Sequence, residues 1–106
     1  MQKGGNRNGG DIIILRKMAK ERLYLGKIKK VEAEGIEQTI ERLAGLEELL
    51  LIVTDETMAR DINDEIMILR KTCMKWWGKI TNQYGWTEFL HKDWEINFME
   101  NKIWIV

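Results

Sequence analysis

The sequence lacks proline and has very little cysteine or histidine. Its 106 residues include no proline, one cysteine and one histidine. Without proline, no residue removes a backbone donor from a helix or clashes with its preceding turn, so long uninterrupted helices are favoured. A single cysteine excludes an intramolecular disulfide, and one cysteine with one histidine cannot complete a tetrahedral zinc site. We therefore expect a helix-rich chain with no cofactor and no metal.

Long apolar runs are also missing. The longest is Leu49 to Val53, far below the roughly 20 residues that a membrane-spanning helix requires. The N-terminus has no apolar stretch of signal-peptide form. The single Cys73 lies on an apolar helical face, where we expect a small buried hydrophobe in a reducing compartment. These absences predict a soluble protein, cytoplasmic or otherwise intracellular, without a membrane partner.

Charge is present in quantity but is segregated along the chain. Residues 1–30 carry nine Lys/Arg and two Asp/Glu, residues 31–69 carry two and eleven, and residues 70–106 carry six and four. The formal net charge of zero therefore hides a basic, an acidic and a mildly basic segment. Such a chain can attract an anionic partner, fold back on itself or pair with a second copy.

The N-terminal quarter divides into an arm and a basic segment. Residues 1–10 are rich in Gly and Asn and predict a flexible arm, which leaves residues 11–106 as one helix-rich domain. In residues 11–25 a helix is favoured over a strand, although residues 12–15 alone fit a short strand. Gly26 and Gly35 flank a polar stretch and mark a bend or weaken a longer helix.

Two amphipathic helices are predicted in the middle of the chain. Apolar residues recur at steps of three and four from Ile36 to Val53, which is typical of a helix with one buried face. The run 49–53 fits a helix end better than a buried strand, but both remain open. Asp55 then offers an N-cap to a second helix. The strongest pattern in the sequence follows, an inner stripe made of Ala59, Ile62, Ile66, Leu69, Cys73, Trp76 and Ile80.

The inner stripe predicts a helix packed on another helix, most simply the preceding one as an antiparallel hairpin, or the same helix of another subunit. After Tyr84 and Gly85 the period changes. Alternating residues from Trp94, a polar turn and the run 103–106 predict a β-hairpin over about 93–106. The expected fold class is α+β and mostly α: a helical hairpin or coiled-coil-like pair followed by a C-terminal β-hairpin.

All five tryptophans lie between Trp76 and Trp104. Tryptophan is enriched both in small cores and at binding hot spots, so this Trp-rich end fits a clamp between helices and hairpin or a protein interface. We predict a non-catalytic interaction or assembly module, a homo-oligomer or a binder of a protein partner. Its candidate interface residues are Ile62, Ile66, Leu69, Cys73, Trp76, Trp77, Ile80, Trp86, Trp94 and Trp104.

Nucleic-acid binding is the alternative. Tyr24 offers a ring on which a base can stack, within a basic segment whose side chains can neutralise several phosphates. The adjacent acidic segment opposes this, and no known nucleic-acid-binding motif is present. The candidate residues are Arg16, Lys17, Lys20, Arg22, Lys27, Lys29 and Lys30.

Catalysis has no support in the sequence. Pairing Cys73 with His91 would require a residue of the inner stripe to leave the core and meet a loop. The acidic group Asp61, Asp64 and Glu65 is expected of any solvated helix face. The set Asp93, Glu100 and Lys102 resembles a nuclease metal site only loosely, since two of its members fall in the predicted turn. We therefore expect no enzyme activity.

Overall fold

A computed structural model describes residues 22–106 as two long helices packed against a small antiparallel sheet. The predicted class, α+β and mostly α with a C-terminal hairpin, is confirmed. In chain order the elements are β1 (Leu23–Lys27), α1 (Lys30–Leu50), α2 (Glu56–Tyr84), a 3-10 turn (Thr87–Phe89), β2 (Trp94–Asn97) and β3 (Lys102–Ile105).

The segment before α1 is a strand where the sequence favoured a helix. The helix predicted for residues 11–25 is wrong over residues 22–25, and the rest of it lies outside the described residues, as does the arm 1–10. Strand β1 pairs antiparallel with β3, with Leu23 opposite Ile105 and Lys27 opposite Lys102. Hydrogen bonds to a neighbouring strand outweigh a weak local helix preference, which sequence periodicity alone does not reveal.

Gly26 is required by the way β1 meets the core. Its φ of 155° is one that residues with a Cβ rarely adopt, and a Cβ built there would lie 2.9 Å from Cζ2 of Trp86. The pairing of β1 with β3 also shifts by one residue between Tyr24 and Gly26. Gly35, by contrast, lies inside α1 with open space around it. The predicted bend therefore falls at Gly26 and not at Gly35.

The turn between the helices follows the predicted pattern. Helix α1 ends at Leu50, so the run 49–53 is a helix end followed by a turn and not a strand. Asp55 caps α2, because its Oδ1 accepts a hydrogen bond of 3.1 Å from the backbone N–H of Met58. At the other end of α2, Gly85 adopts a left-handed conformation and its N–H bonds to the carbonyl of Thr81.

The inner stripe packs against α1 of the same chain, as an antiparallel hairpin. Ile62 and Ile66 are buried together with Leu46 of α1. Two ion pairs run from one helix to the other: Arg42 reaches Glu65 through two hydrogen bonds of 2.8 and 3.0 Å, and Arg70 reaches Glu47 at 2.7 Å. The remaining apolar side chains of this contact are Leu43, Leu50, Val53 and Leu69.

The sheet is three-stranded, in the order β1-β3-β2. The predicted hairpin is formed by β2 and β3, and the Oδ1 of Asn97 fixes its turn by accepting the N–H groups of Met99 and Glu100. An isolated hairpin is marginally stable. Here the hairpin pairs with a third strand, β1. It also packs on α2, because Ile103 is fully buried beside Ile80 of that helix.

Glu32 joins the start of α1 to the end of α2. Its carboxylate accepts hydrogen bonds from the Lys29 backbone N–H at 2.9 Å, from the Tyr84 hydroxyl and from the Gln83 amide. Partial desolvation of this carboxylate opposes ionisation, but the three donors outweigh it. The pKa of Glu32 therefore lies below its ordinary value of 4.5. Ionised Glu32 caps α1 and connects it to α2.

This predicts a stability that depends on pH through Glu32. The pKa of Glu32 is lower in the folded protein than in the unfolded chain. The contribution of ionised Glu32 to the free energy of unfolding is therefore complete above the ordinary pKa of a glutamate, and it is lost as pH falls through the pKa of the folded protein. Glu32→Ala should lower the free energy of unfolding by about 1–2 kcal/mol at neutral pH. Denaturant unfolding at several pH values should show this difference shrinking in acid. Glu41→Ala, at an exposed position of the same helix, is the control. A difference that stays constant down to strong acid would contradict this role.

Candidate interaction surfaces

Four of the ten predicted interface residues are buried inside a single copy of the chain. Trp77 and Ile80 pack in the core between sheet and helices, and Ile62 and Ile66 pack between the two helices. All four are buried. The other six predicted residues are partly exposed: Leu69, Cys73, Trp76, Trp86, Trp94 and Trp104.

Four of the five tryptophans connect the helices to the sheet. Trp94 of β2 stacks on Trp77 with ring centroids 5.0 Å apart and also contacts Trp76 at 5.3 Å. Both indole N–H groups of the helix are satisfied: Trp77 donates to the carbonyl of Phe89 and Trp76 to that of Glu32. Trp86 stacks on Tyr84 at 4.9 Å. Trp76 and Trp77 are adjacent in sequence, yet both pack against the sheet, because Trp94 of β2 contacts both rings.

Trp104 lies on the opposite, outer face of the sheet. Its ring is 5.3 Å from that of Tyr24, and the Arg22 guanidinium lies 5.0 Å from the Trp104 centroid. Arg22 also forms an ion pair with Glu95. This outer face, made of Arg22, Tyr24, Lys27, Glu95, Lys102 and Trp104, carries two aromatic rings, tilted by 52° to each other, among charged side chains. These residues are far apart in sequence, and the pairing of β1 and β2 with β3 brings them together.

The other predicted nucleic-acid residues do not all reach that face. Arg16, Lys17 and Lys20 lie outside the described residues. Lys29 is the N-cap of α1, and Lys30 lies 4.0 Å from Glu34 on the same helix. Of the seven predicted residues, Arg22 and Lys27 belong to β1 or its approach and share the face with Trp104.

The helical hairpin exposes large apolar side chains on its outside. The most exposed are Leu51 at 85% and Ile52 at 75%, in the turn between the helices. Four more lie on α2: Met58, Met67, Ile68 and Met74. Sequence reasoning missed this surface because the inner stripe accounts for the helical periodicity. The sequence does contain a signal for this surface, because Met67, Ile68 and Met74 interrupt the polar side of α2.

Several residues of the sets considered for chemistry form ion pairs. Glu65 is held by Arg42, whose hydrogen bonds lower the pKa of Glu65. Glu100 lies 3.2 Å from Lys102. Partial burial raises the pKa of the Cys73 thiol, which makes it a poor nucleophile. Within residues 22–106, no three His, Cys, Asp or Glu side chains cluster closely enough to hold a metal ion.

Neither helix within residues 22–106 has a stretch long and apolar enough to span a lipid bilayer. Comparisons with protein-family models, with curated proteins and with solved structures give no significant match to this chain. The surfaces described above are what the chain itself offers for a functional interpretation.

Proposed function

We propose that this protein is a non-catalytic assembly module that self-associates through its helical hairpin. The observation that carries the proposal is the set of large apolar side chains exposed on that hairpin, with Leu51, Ile52 and Ile68 the clearest cases. Single exposed apolar residues are ordinary on protein surfaces, but several on one helical hairpin indicate a contact surface. The free thiol of Cys73 fits an intracellular setting for this module.

The inner stripe limits how the contact is made. Because Ile62 and Ile66 pack on Leu46 of the same chain, a second copy gains little by competing for them. Self-association through α2 therefore uses the outer side of that helix, and the Trp-rich end contributes chiefly Trp104. In this proposal the amphipathic helix α2 remains the associating element, but its outer side, and not its inner stripe, contacts the partner.

The proposal predicts concentration-dependent association of the full chain. Sedimentation velocity should show a dimer or larger species at about 100 µM and more monomer on dilution, as mass action requires. A variant with Met67, Ile68 and Met74 changed to Ser, or one with Leu51 and Ile52 changed to Ser, should shift the balance to monomer. Val31→Ser, an equally exposed apolar residue on α1, is the control. A wild-type protein that stays monomeric throughout would refute self-association.

A second candidate function is favoured by the outer face of the sheet. We infer that this face binds single-stranded nucleic acid, because aromatic rings beside cationic side chains suit bases and phosphates together. Tyr24 is about half exposed, and Lys27 and Lys102 lie opposite each other on adjacent strands. Glu95 reduces the positive charge of this face by pairing with Arg22, which is why it ranks second.

This candidate predicts binding that weakens steeply with salt. Fluorescence anisotropy with a labelled single-stranded oligonucleotide should give a Kd that Tyr24→Ala raises about fivefold or more, the loss of one stacking platform. Lys27→Glu should raise the Kd and reduce its salt dependence. Arg60→Glu makes the same charge change on α2, away from the sheet, and should have little effect. Absence of binding at low salt would exclude this function.

A further inference from the structure

The outer side of α2 carries a stripe of ordered charge. Its members recur at steps of three and four residues, so they lie on one side of the helix, and all of them are exposed. The N-terminal half of the stripe is acidic, its centre is apolar and its C-terminal half is basic. This outer stripe consists of Asp61, Asp64, Ile68, Lys71 and Lys75.

The outer stripe is complementary to itself when it is reversed. Asp61 and Lys75 each lie seven residues from Ile68, while Asp64 and Lys71 lie four and three residues from it. Two such helices laid antiparallel, with a two-fold axis at Ile68, bring Asp61 of each copy opposite Lys75 of the other. Asp64 comes within one residue of the position opposite Lys71. An isologous contact of this kind uses the same patch on both copies.

The charged side chains of the outer stripe form no ion pair within residues 22–106. The ion pairs of residues 22–106 involve other side chains, and none includes Asp61, Asp64, Lys71 or Lys75. The neighbouring acidic and basic residues of α2 that face α1 are paired, as Glu65 with Arg42 and Arg70 with Glu47. Glu65 and Arg70 are thus paired with α1, whereas the charges of the outer stripe have no ion-pair partner among the described residues.

The centre of the stripe supplies the apolar part of the contact. Ile68 is 63% exposed, and at a two-fold axis it meets its own copy. The stems of Lys71 and Lys75 are apolar along most of their length and can cover it while their ammonium groups reach the opposite carboxylates. From Asp61 to Lys75 the stripe is about 21 Å long at the rise of an α-helix.

We propose that two copies of this protein pair through an antiparallel α2–α2 contact centred on Ile68, held by four Asp–Lys pairs of the outer stripe. This rests on the proposed self-association and names the surface and the geometry that produce it. The acidic and basic halves set the antiparallel direction, because a parallel pair would place like charges together.

Charge reversal tests the pairing directly. A variant with Asp61→Lys and Asp64→Lys has four cations on the stripe, and one with Lys71→Glu and Lys75→Glu has four anions. Each should dimerise at least about tenfold more weakly than the wild type, since all four pairs become repulsive. An equimolar mixture of the two should recover dimers, because every cross-pair in the mixed dimer is attractive. Circular dichroism of each variant checks that the helices are intact.

A variant that combines all four changes keeps the net charge unchanged. It should dimerise with itself as the wild type does, because each pair is only reversed in sign. It should not exchange subunits with the wild type, since the mixed contact places like charges together. Energy transfer between differently labelled copies measures this exchange. Association of the wild type should weaken with added salt, which screens exposed pairs.

The outcomes separate this inference from the proposed function. If the wild type associates but both two-site variants associate equally well, or the four-site variant exchanges freely with the wild type, the α2–α2 contact is wrong and self-association stands. If the wild type is monomeric at low salt and high concentration, both fail. Loss of association in each two-site variant with recovery in the mixture supports both.

Discussion

The contact on which the rest of this structure depends is the burial of the inner stripe of α2 against α1. With Ile62 and Ile66 buried beside Leu46, the two helices close on each other within one copy. That closure fixes the rotation of α2 about its axis, because a helix has only one such apolar stripe to bury. It therefore decides which residues face outward, and the outer stripe around Ile68 is its direct consequence.

The sheet is positioned by the far end of the same helix. Trp77 and Trp94 stack across the junction, and Glu32 connects the start of α1 to Tyr84 at the end of α2. Three strands then bury one face on the helices and leave the other with Tyr24 and Trp104. The described part of the molecule thus presents two distinct outer surfaces, a charged helix side and an aromatic sheet face, and we propose a different kind of partner for each.

The sequence predicted those elements whose signal is local. The helix capped by Asp55, the inner stripe and the C-terminal hairpin follow from capping chemistry and period, and all three are present. Strand β1 was missed because its evidence is non-local: Leu23 and Tyr24 become a strand only through β3. The outer sheet face was missed for the same reason. The outer stripe could have been found from sequence, since Asp61, Ile68 and Lys75 are evenly spaced, but only after the inner side of α2 was assigned.

The most direct test compares two isoleucines two residues apart on α2. Ile66 is 3% exposed and Ile68 is 63% exposed. Ile66→Ala should lower the free energy of unfolding by about 2–4 kcal/mol at any protein concentration, because it leaves a cavity inside one copy. Ile68→Ala should leave the unfolding of the monomer nearly unchanged. If Ile66→Ala instead leaves the unfolding of the monomer unchanged and dissociates an oligomer, the inner stripe lies between copies and the account is wrong.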